Sequence, residues 1–295
     1  MVGRLFKTGK CRKFEFFDIL ISEIKEAGWK DISSNPDGDF IVMNSKGEQG
    51  DKNLILQIRD WNITNASTSS VRTTDSSSFG VRMPLGYVPD EGHRVSGVFQ
   101  RPNTTWNFAY VYPVSTNANS ASMYDKNVRI DYAIAADKDN IIYVITPAIA
   151  TTYGSIVTFM GLPDERHTLE ENSDGCIFAS TFGNGYAANT VSVANNCSEM
   201  NVQAADISNR AMKATLAVHN PNAAGLYALA DIGYESTSEG LRGKLNSILF
   251  LPNINILNND VVMDGEHKYK IAICQAVTAF AFNSFPTQAI VYRIE

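Results

Sequence analysis

Cysteine and histidine are scarce in this 295-residue chain, four of each, and their scarcity removes whole classes of chemistry. Cys11, Cys176, Cys197 and Cys274 form no C-x-x-C pair and have no histidine at ligand spacing. Neither a zinc knuckle nor a disulfide framework is predicted, and the thiols are expected to be reduced and mostly buried. His93, His167, His219 and His267 lie far apart, none has a second ligand one helical turn on, and each reads as a surface or loop residue. Positive charge is not in excess: Lys+Arg 25 against Asp+Glu 31 leaves a net charge of -6, so no basic field draws the chain onto DNA or an anionic membrane. The longest apolar runs, such as Ile141 to Ile145, and others like Ile248 to Leu251, fall far short of the roughly eighteen residues that span a bilayer. Arg4, Lys7, Lys10, Arg12 and Lys13 make a basic opening, but Glu15 and Asp18 break the apolar stretch that follows. No export signal is expected, and the chain reads as soluble. The N-x-[ST] sequons at Asn62, Asn65, Asn103 and Asn196 are then products of an Asn/Ser/Thr-rich composition.

Catalytic signatures are missing as well. There is no G-x-S-x-G elbow, Walker lysine or S-x-x-K string, which leaves the common nucleophilic and phosphoryl-transfer chemistries without their residues. Gly183-Asn-Gly-Tyr-Ala-Ala188 has the G-x-G-x-x-A form, with Asp206 downstream. A dinucleotide site needs those glycines to open a helix, however, and the following Asn189 to Asn196 is β-branched and Asn-rich, so the string is read as a turn between strands. His167 and Glu170 make an H-x-x-E fragment with no further ligand, and Asp137 and Asp139 lack the glycine and glutamate of an EF-hand loop. The first reads as loop polarity, the second as a hairpin turn. The expectation is a non-enzymatic chain with no catalytic, cofactor-binding or metal-binding residue.

What is present is β punctuation around one helix. Phe17, Leu20, Ile21, Ile24 and Ala27 recur at three and four spacing before Gly28, which predicts a helix over about residues 14 to 27 with an apolar stripe to be covered. Turn formers at Asp31 to Asp39 and Gly47 to Asp51 bracket two strands, Phe40 to Met43 and Asn53 to Arg59, so a helix packed on a hairpin is expected. Val128, Ile130, Tyr132 and Ile134 alternate with Arg129, Asp131 and Ala133, and Asp137-Lys-Asp-Asn140 turns the chain into Ile141 to Ile145, which predicts a second hairpin. Beyond Pro163, short strands are predicted at Cys176 to Phe182, Lys213 to Val218, Leu226 to Ile232, Lys244 to Leu251, Tyr269 to Ile273 and Gln288 to Ile294. The fold expected is mainly β with one N-terminal helix. An α+β domain, helix on antiparallel sheet, fills residues 1–172, and a β-rich, sandwich-like domain fills 173–295; one interwoven domain is the alternative.

Two segments lie outside that frame. Residues 62 to 80 are Ser/Thr/Asn-rich with almost no apolar anchor, which predicts a surface loop that gains order from a neighbour. Trp106, Phe108, Tyr110 and Tyr112 put four rings on one strand face, either to pack a core or to offer a stacking platform for a sugar or base.

Glu26-Ala-Gly-Trp29, Asp31 to Asn35, Phe40 to Met43, Gly47-Glu-Gln-Gly-Asp51 and Leu54 to Arg59 resemble the opening of virion structural proteins of tailed bacteriophages. The similarity continues through Gly86-Tyr87, Phe99-Gln-Arg-Pro102, the Val128 to Val144 hairpin and Phe159-Met-Gly-Leu-Pro163, and so covers about residues 15 to 180. Gly240-Leu-Arg-Gly-Lys244 and Asp264-Gly-Glu-His-Lys-Tyr269 extend it loosely into the last third. The resemblance implies a tail, neck or baseplate subunit that works through interfaces in a virion, closing as a homo-oligomeric, hexameric ring against other tail or neck proteins. It implies neither a membrane nor sequence-specific nucleic acid as a partner. A carbohydrate- or receptor-binding β domain of a phage tail, using exposed Trp61 or Trp106, is the alternative.

Overall fold

The computed structural model describes residues 4–34, 40–60, 77–89, 97–100, 107–112, 125–148, 154–167, 176–180, 191–193, 203–204, 225–227, 229–236, 240–252, 255–274 and 288–295. Within them the chain is mainly β, with a single α-helix near the N-terminus. Strands are numbered here in chain order.

A six-stranded antiparallel sheet forms the middle layer. Its order is β1 (Leu5–Arg12), β9 (Arg129–Ala136), β10 (Asn140–Pro147), β11 (Ile156–Gly161), β13 (Ile177–Ser180) and β14 (Val191–Val193). The hairpin predicted around Asp137 is its centre, with Ile142 opposite Ala135 and Val144 opposite Ala133. Alternation along these strands sends two apolar faces in opposite directions. Ile130, Ile134, Ile141, Tyr143, Ile145 and Phe178 enter one core, and Ala133, Ala135, Ile142, Val144, Val157, Phe159 and Ile177 enter another. Both faces are covered, so this sheet reads as nearly continuous apolar sequence.

The first face carries the helix and a second sheet. After a 3-10 turn at Lys13–Glu15, helix α1 (Phe16–Glu26) buries Phe16, Leu20, Ile21 and Ile24. Of the stripe predicted from spacing, Leu20, Ile21 and Ile24 are core, Phe17 and Ala27 pack at its margin, and Phe16, outside the predicted stripe, is fully buried. Gly28 ends it at φ +102°, a left-handed conformation natural to glycine. Beside the helix lies a five-stranded sheet of order β2 (Lys30–Asp31), β3 (Ile41–Ser45), β4 (Leu54–Asp60), β5 (Ser78–Arg82) and β8 (Asn107–Tyr110). Rings knit the layers: Phe16 meets Tyr143 edge-on at 5.3 Å between centroids and Phe17 meets Phe79 at 5.8 Å. A small two-stranded unit, β6 (Gly86–Pro89) with β7 (Gly97–Gln100), completes this region.

The other face is covered by the C-terminal sheet, of order β15 (Gln203–Ala204), β16 (Ala230–Ser236), β17 (Gly240–Pro252), β20 (Gln288–Arg293), β19 (His267–Cys274) and β18 (Val261–Asp264), with β12 (Glu165–Arg166) pairing β17 off this path. Leu245, Ile248, Phe250, Ala272, Ile290 and Tyr292 meet the middle sheet, while Leu249, Leu251, Tyr269, Ile271 and Val291 form a core on the outer side. The sandwich therefore joins the C-terminal sheet to strands from both sides of residue 172, since β13 pairs β11 with Ala179 opposite Phe159. The predicted strand at 213–218 lies outside the described residues.

One stretch of the predicted polar loop is core. Ser77 and Ser78 are buried, and β5 starts at Ser78, so residues 77 to 80 of the loop expected over 62 to 80 are not loop. The reason is a buried lysine: Lys13, 1% exposed, donates from Nζ to Ser77 Oγ at 2.9 Å and stands 4.8 Å over the Tyr112 ring. The Ser77 carbonyl accepts from Val111 N and Tyr112 N, so a polar residue inside is fully engaged. Residues 61–76 lie outside the described residues.

Candidate assembly surface

Four blocks that carry the phage resemblance meet at one place, the turn between β9 and β10. Asp137 Oδ1 accepts from Asp139 N at 2.9 Å and Asn140 N at 2.8 Å, the side-chain geometry that makes Asp a turn former. Trp29, two per cent exposed, donates from Nε1 to Asp137 O at 2.8 Å. From the Gly47 turn, Glu48 N donates to Asp139 Oδ1 at 3.0 Å, and Lys138 N donates back to Glu48 Oε1 at 3.2 Å. Gly161 passes so close that a Cβ there would lie 2.4 Å from Asp139 O, and the next residue, Leu162, donates its N–H to that carbonyl at 2.8 Å.

Arg4 and Asp164 complete this joint. The Arg4 guanidinium donates to Asp137 Oδ2 and to Asn140 Oδ1, both at 2.5 Å, and burial lowers its pKa from the ordinary value despite the attraction of Asp137 and Asp164. Asp164 accepts from Ser247 N at 3.0 Å and Ser247 Oγ at 2.6 Å, where the β16–β17 pairing shifts register between Asp231 and Ile232. A bulge frees a backbone N–H from its ladder, and the carboxylate satisfies it. Asp139 sits among Asp137, Glu48 and Asp164, and burial first, then those like charges, raise its pKa. The joint clamps three sheets together, which gives the Asp137 and Asp139 pair the turn role expected of it.

The other sequence candidates do not gather. His167, just after β12, and His267, at the start of β19, are both exposed, and among the described residues no group of three His, Cys, Asp or Glu is placed to hold a metal ion. Glu170, His93, His219, the Gly183 to Ala188 string, Asp206, Trp61 and Trp106 lie outside the described residues. Tyr110 and Tyr112 are 3% exposed and pack the core rather than offer a platform. Cys11, Cys176 and Cys274 are buried, and burial pushes the Cys11 and Cys176 thiols up to about 12. No helix among the described residues is long and apolar enough to cross a membrane.

The surface itself is uneven at one place. Strand β18 is the last of its sheet among the described residues, and Val261 is 50% exposed, Met263 61% and Leu257, just before it, 71%. Val261 pairs Lys270, which lies two residues from Ala272 on the face toward the middle sheet, so Val261 and Met263 share that face. The middle sheet ends at β1 and does not reach them. Asp260, Asp264 and Glu266, all exposed, flank the row. An apolar centre with a charged rim on an open strand edge is how a protein interface is composed. Sequence reasoning passed over this row, although Val261-Val262-Met263 between an Asn-Asn-Asp turn and Asp264-Gly265 has the form of a short strand.

No family model matches the chain, and no curated protein matches it.

Proposed function

We propose that the protein is a non-enzymatic structural subunit of a bacteriophage virion, closing as a homo-oligomeric, hexameric ring in the tail, neck or baseplate and contacting other proteins there. The observation that carries the reading is the exposed Val261 and Met263 on β18, the last strand of its sheet among the described residues, with Leu257 just before it. Isolated exposed aliphatics are ordinary, but two on an edge strand with a third just before it favour association. A ring needs one heterologous contact repeated until it closes, and an edge strand offers backbone hydrogen bonds to a neighbour as well as apolar area. The resemblance of residues 15 to 180 supplies the assembly, and the joint around Asp137 supports it by making a stiff body from the same blocks.

The test is light scattering of the purified chain with mass spectrometry of purified virions. The wild type is expected as a ring whose mass is a whole multiple of the subunit's, and as a component of the particle. Met263→Glu is expected as a folded monomer absent from particles, because it puts a charge among acidic neighbours in an apolar contact. A wild-type monomer at all concentrations that is absent from virions would overturn the reading.

A further inference from the structure

The two sheets of the sandwich close against each other where β14 meets β15 and stand apart at the opposite side, where a cleft of about 280 Å³ opens between β1, β9 and β10 and the Asn258 to Ile271 stretch. Its floor includes Ala133 and Val144. Its walls carry Lys10, Asp131, Asn258, Lys270 and Tyr292.

Three features of these walls point to a ligand. Tyr292 is 1% exposed and lines the cleft, and its phenol, which makes no hydrogen bond among the described residues, still meets solvent there, so a ligand oxygen can take a donor that no described protein group occupies. Burial raises its pKa above the ordinary value, so it holds a proton to donate. Lys10 Nζ pairs with Asp131 at 2.9 Å, whereas Lys270 Nζ has no carboxylate partner among the described residues and stands 5.4 Å over the Phe6 ring. Two ammonium groups therefore face one carboxylate. Asn258 accepts on Oδ1 from Ile273 N at 3.0 Å, which orients its amide, while Nδ2 reaches Thr146 Oγ1 only at 3.5 Å and keeps donor capacity.

We infer that this cleft binds a hydroxylated carboxylate the size of one uronic acid residue, its carboxylate at Lys270 and its hydroxyls at Tyr292 and Asn258, with Ala133 and Val144 against the C–H face of the ring. The charge balance selects an anion, the hydroxyl and amide donors select a polyol, and the volume, at the lower end of the roughly 300–1,000 Å³ of ligand sites, admits a single unit. The source is either a free sugar acid or the acidic end unit of a glycan. The inference does not rest on the ring, because none of these residues belongs to the Leu257, Val261 and Met263 row.

Isothermal titration of the full chain with D-glucuronate, D-glucose and a glucuronate-terminated oligosaccharide tests it. Glucuronate is expected to bind saturably, about tenfold tighter than glucose, because a charge-assisted contact is lost with the neutral sugar. Tyr292→Phe, which removes one oxygen, is expected to melt no lower than wild type and to bind about five-fold more weakly. Lys270→Gln is expected to erase the preference for glucuronate over glucose. Tighter binding of the oligosaccharide assigns the glycan end, equal binding the free acid, and either supports the class. No saturable heat at about 10 mM glucuronate, or affinities unchanged in both variants, would overturn it. Met263→Glu, which tests the ring, is expected to bind glucuronate as wild type does.

Discussion

Replacing Arg4 by Met tests whether the joint around Asp137 holds the layers together. The Arg4 side chain is 6% exposed and Asp137 17%, so solvent screens this pair far less than a surface ion pair. The substitution removes two hydrogen bonds to a guanidinium, each worth about 1.5–3 kcal/mol, and Met fills a similar volume without charge. Two effects lower the cost. Asp137 keeps its two backbone donors on Oδ1, and Arg4 Nε, buried without a hydrogen bond, no longer has to be desolvated. The expected loss is therefore about 3 kcal/mol, at the lower end for breaking a buried pair. Asp137→Asn retains the acceptor that makes the turn and is expected to lose about 2 kcal/mol. In the double variant the two losses overlap, giving a coupling of about 2 kcal/mol. Urea unfolding followed by circular dichroism and tryptophan fluorescence measures all three, with Trp29 reporting directly on the joint. A loss under about 0.5 kcal/mol for Arg4→Met, or no coupling, would mean that the pair behaves as a solvated surface contact and that apolar packing alone holds the sheets.

The remaining predictions concern the core and its ionisable groups. Ile24 is fully buried, so Ile24→Ala is expected to cost about 3 kcal/mol and Ile24→Asp to abolish cooperative unfolding of the helix and its neighbouring sheets, read by thermal melts. With Cys11, Cys176 and Cys274 buried, a thiol reagent at pH 8 is expected to modify at most one cysteine, Cys197, in the native chain, and all four after denaturation; rapid labelling of three would contradict the packing. Asp139 has a pKa raised in the fold by burial and then by neighbouring carboxylates, so the folded chain holds its proton more tightly than the unfolded one. Its contribution to stability is full below the unfolded value of 3.8 and is lost as pH rises through the folded value. Urea midpoints across that window are expected to show wild type gaining on Asp139→Asn as pH falls, and the opposite slope would refute the assignment.

Local periodicity was enough to read the helix and the central hairpin. The apolar stripe from Phe17 to Ala27 and the alternation from Val128 to Ile134 are properties of neighbours in the chain, and each element needs only those neighbours to declare its type. The C-terminal strands at 244–251, 269–273 and 288–294 were legible for the same reason, and so was the mainly β class. Strand β1 was not. Leu5 to Arg12 looks like a basic, broken segment, and it becomes a strand because Leu5 finds Ala136 and Arg12 finds Arg129 on β9, more than a hundred residues away. Ser77 gave no sign of burial, because its anchor is the Lys13 ammonium, distant in sequence. Val261 and Met263 on β18 lie beyond β1, where the middle sheet ends among the described residues, and the cleft exists because the sandwich stands apart on that side. Edge, cover and gap belong to the packing of sheets, which depends on pairings between distant segments that leave no local pattern behind.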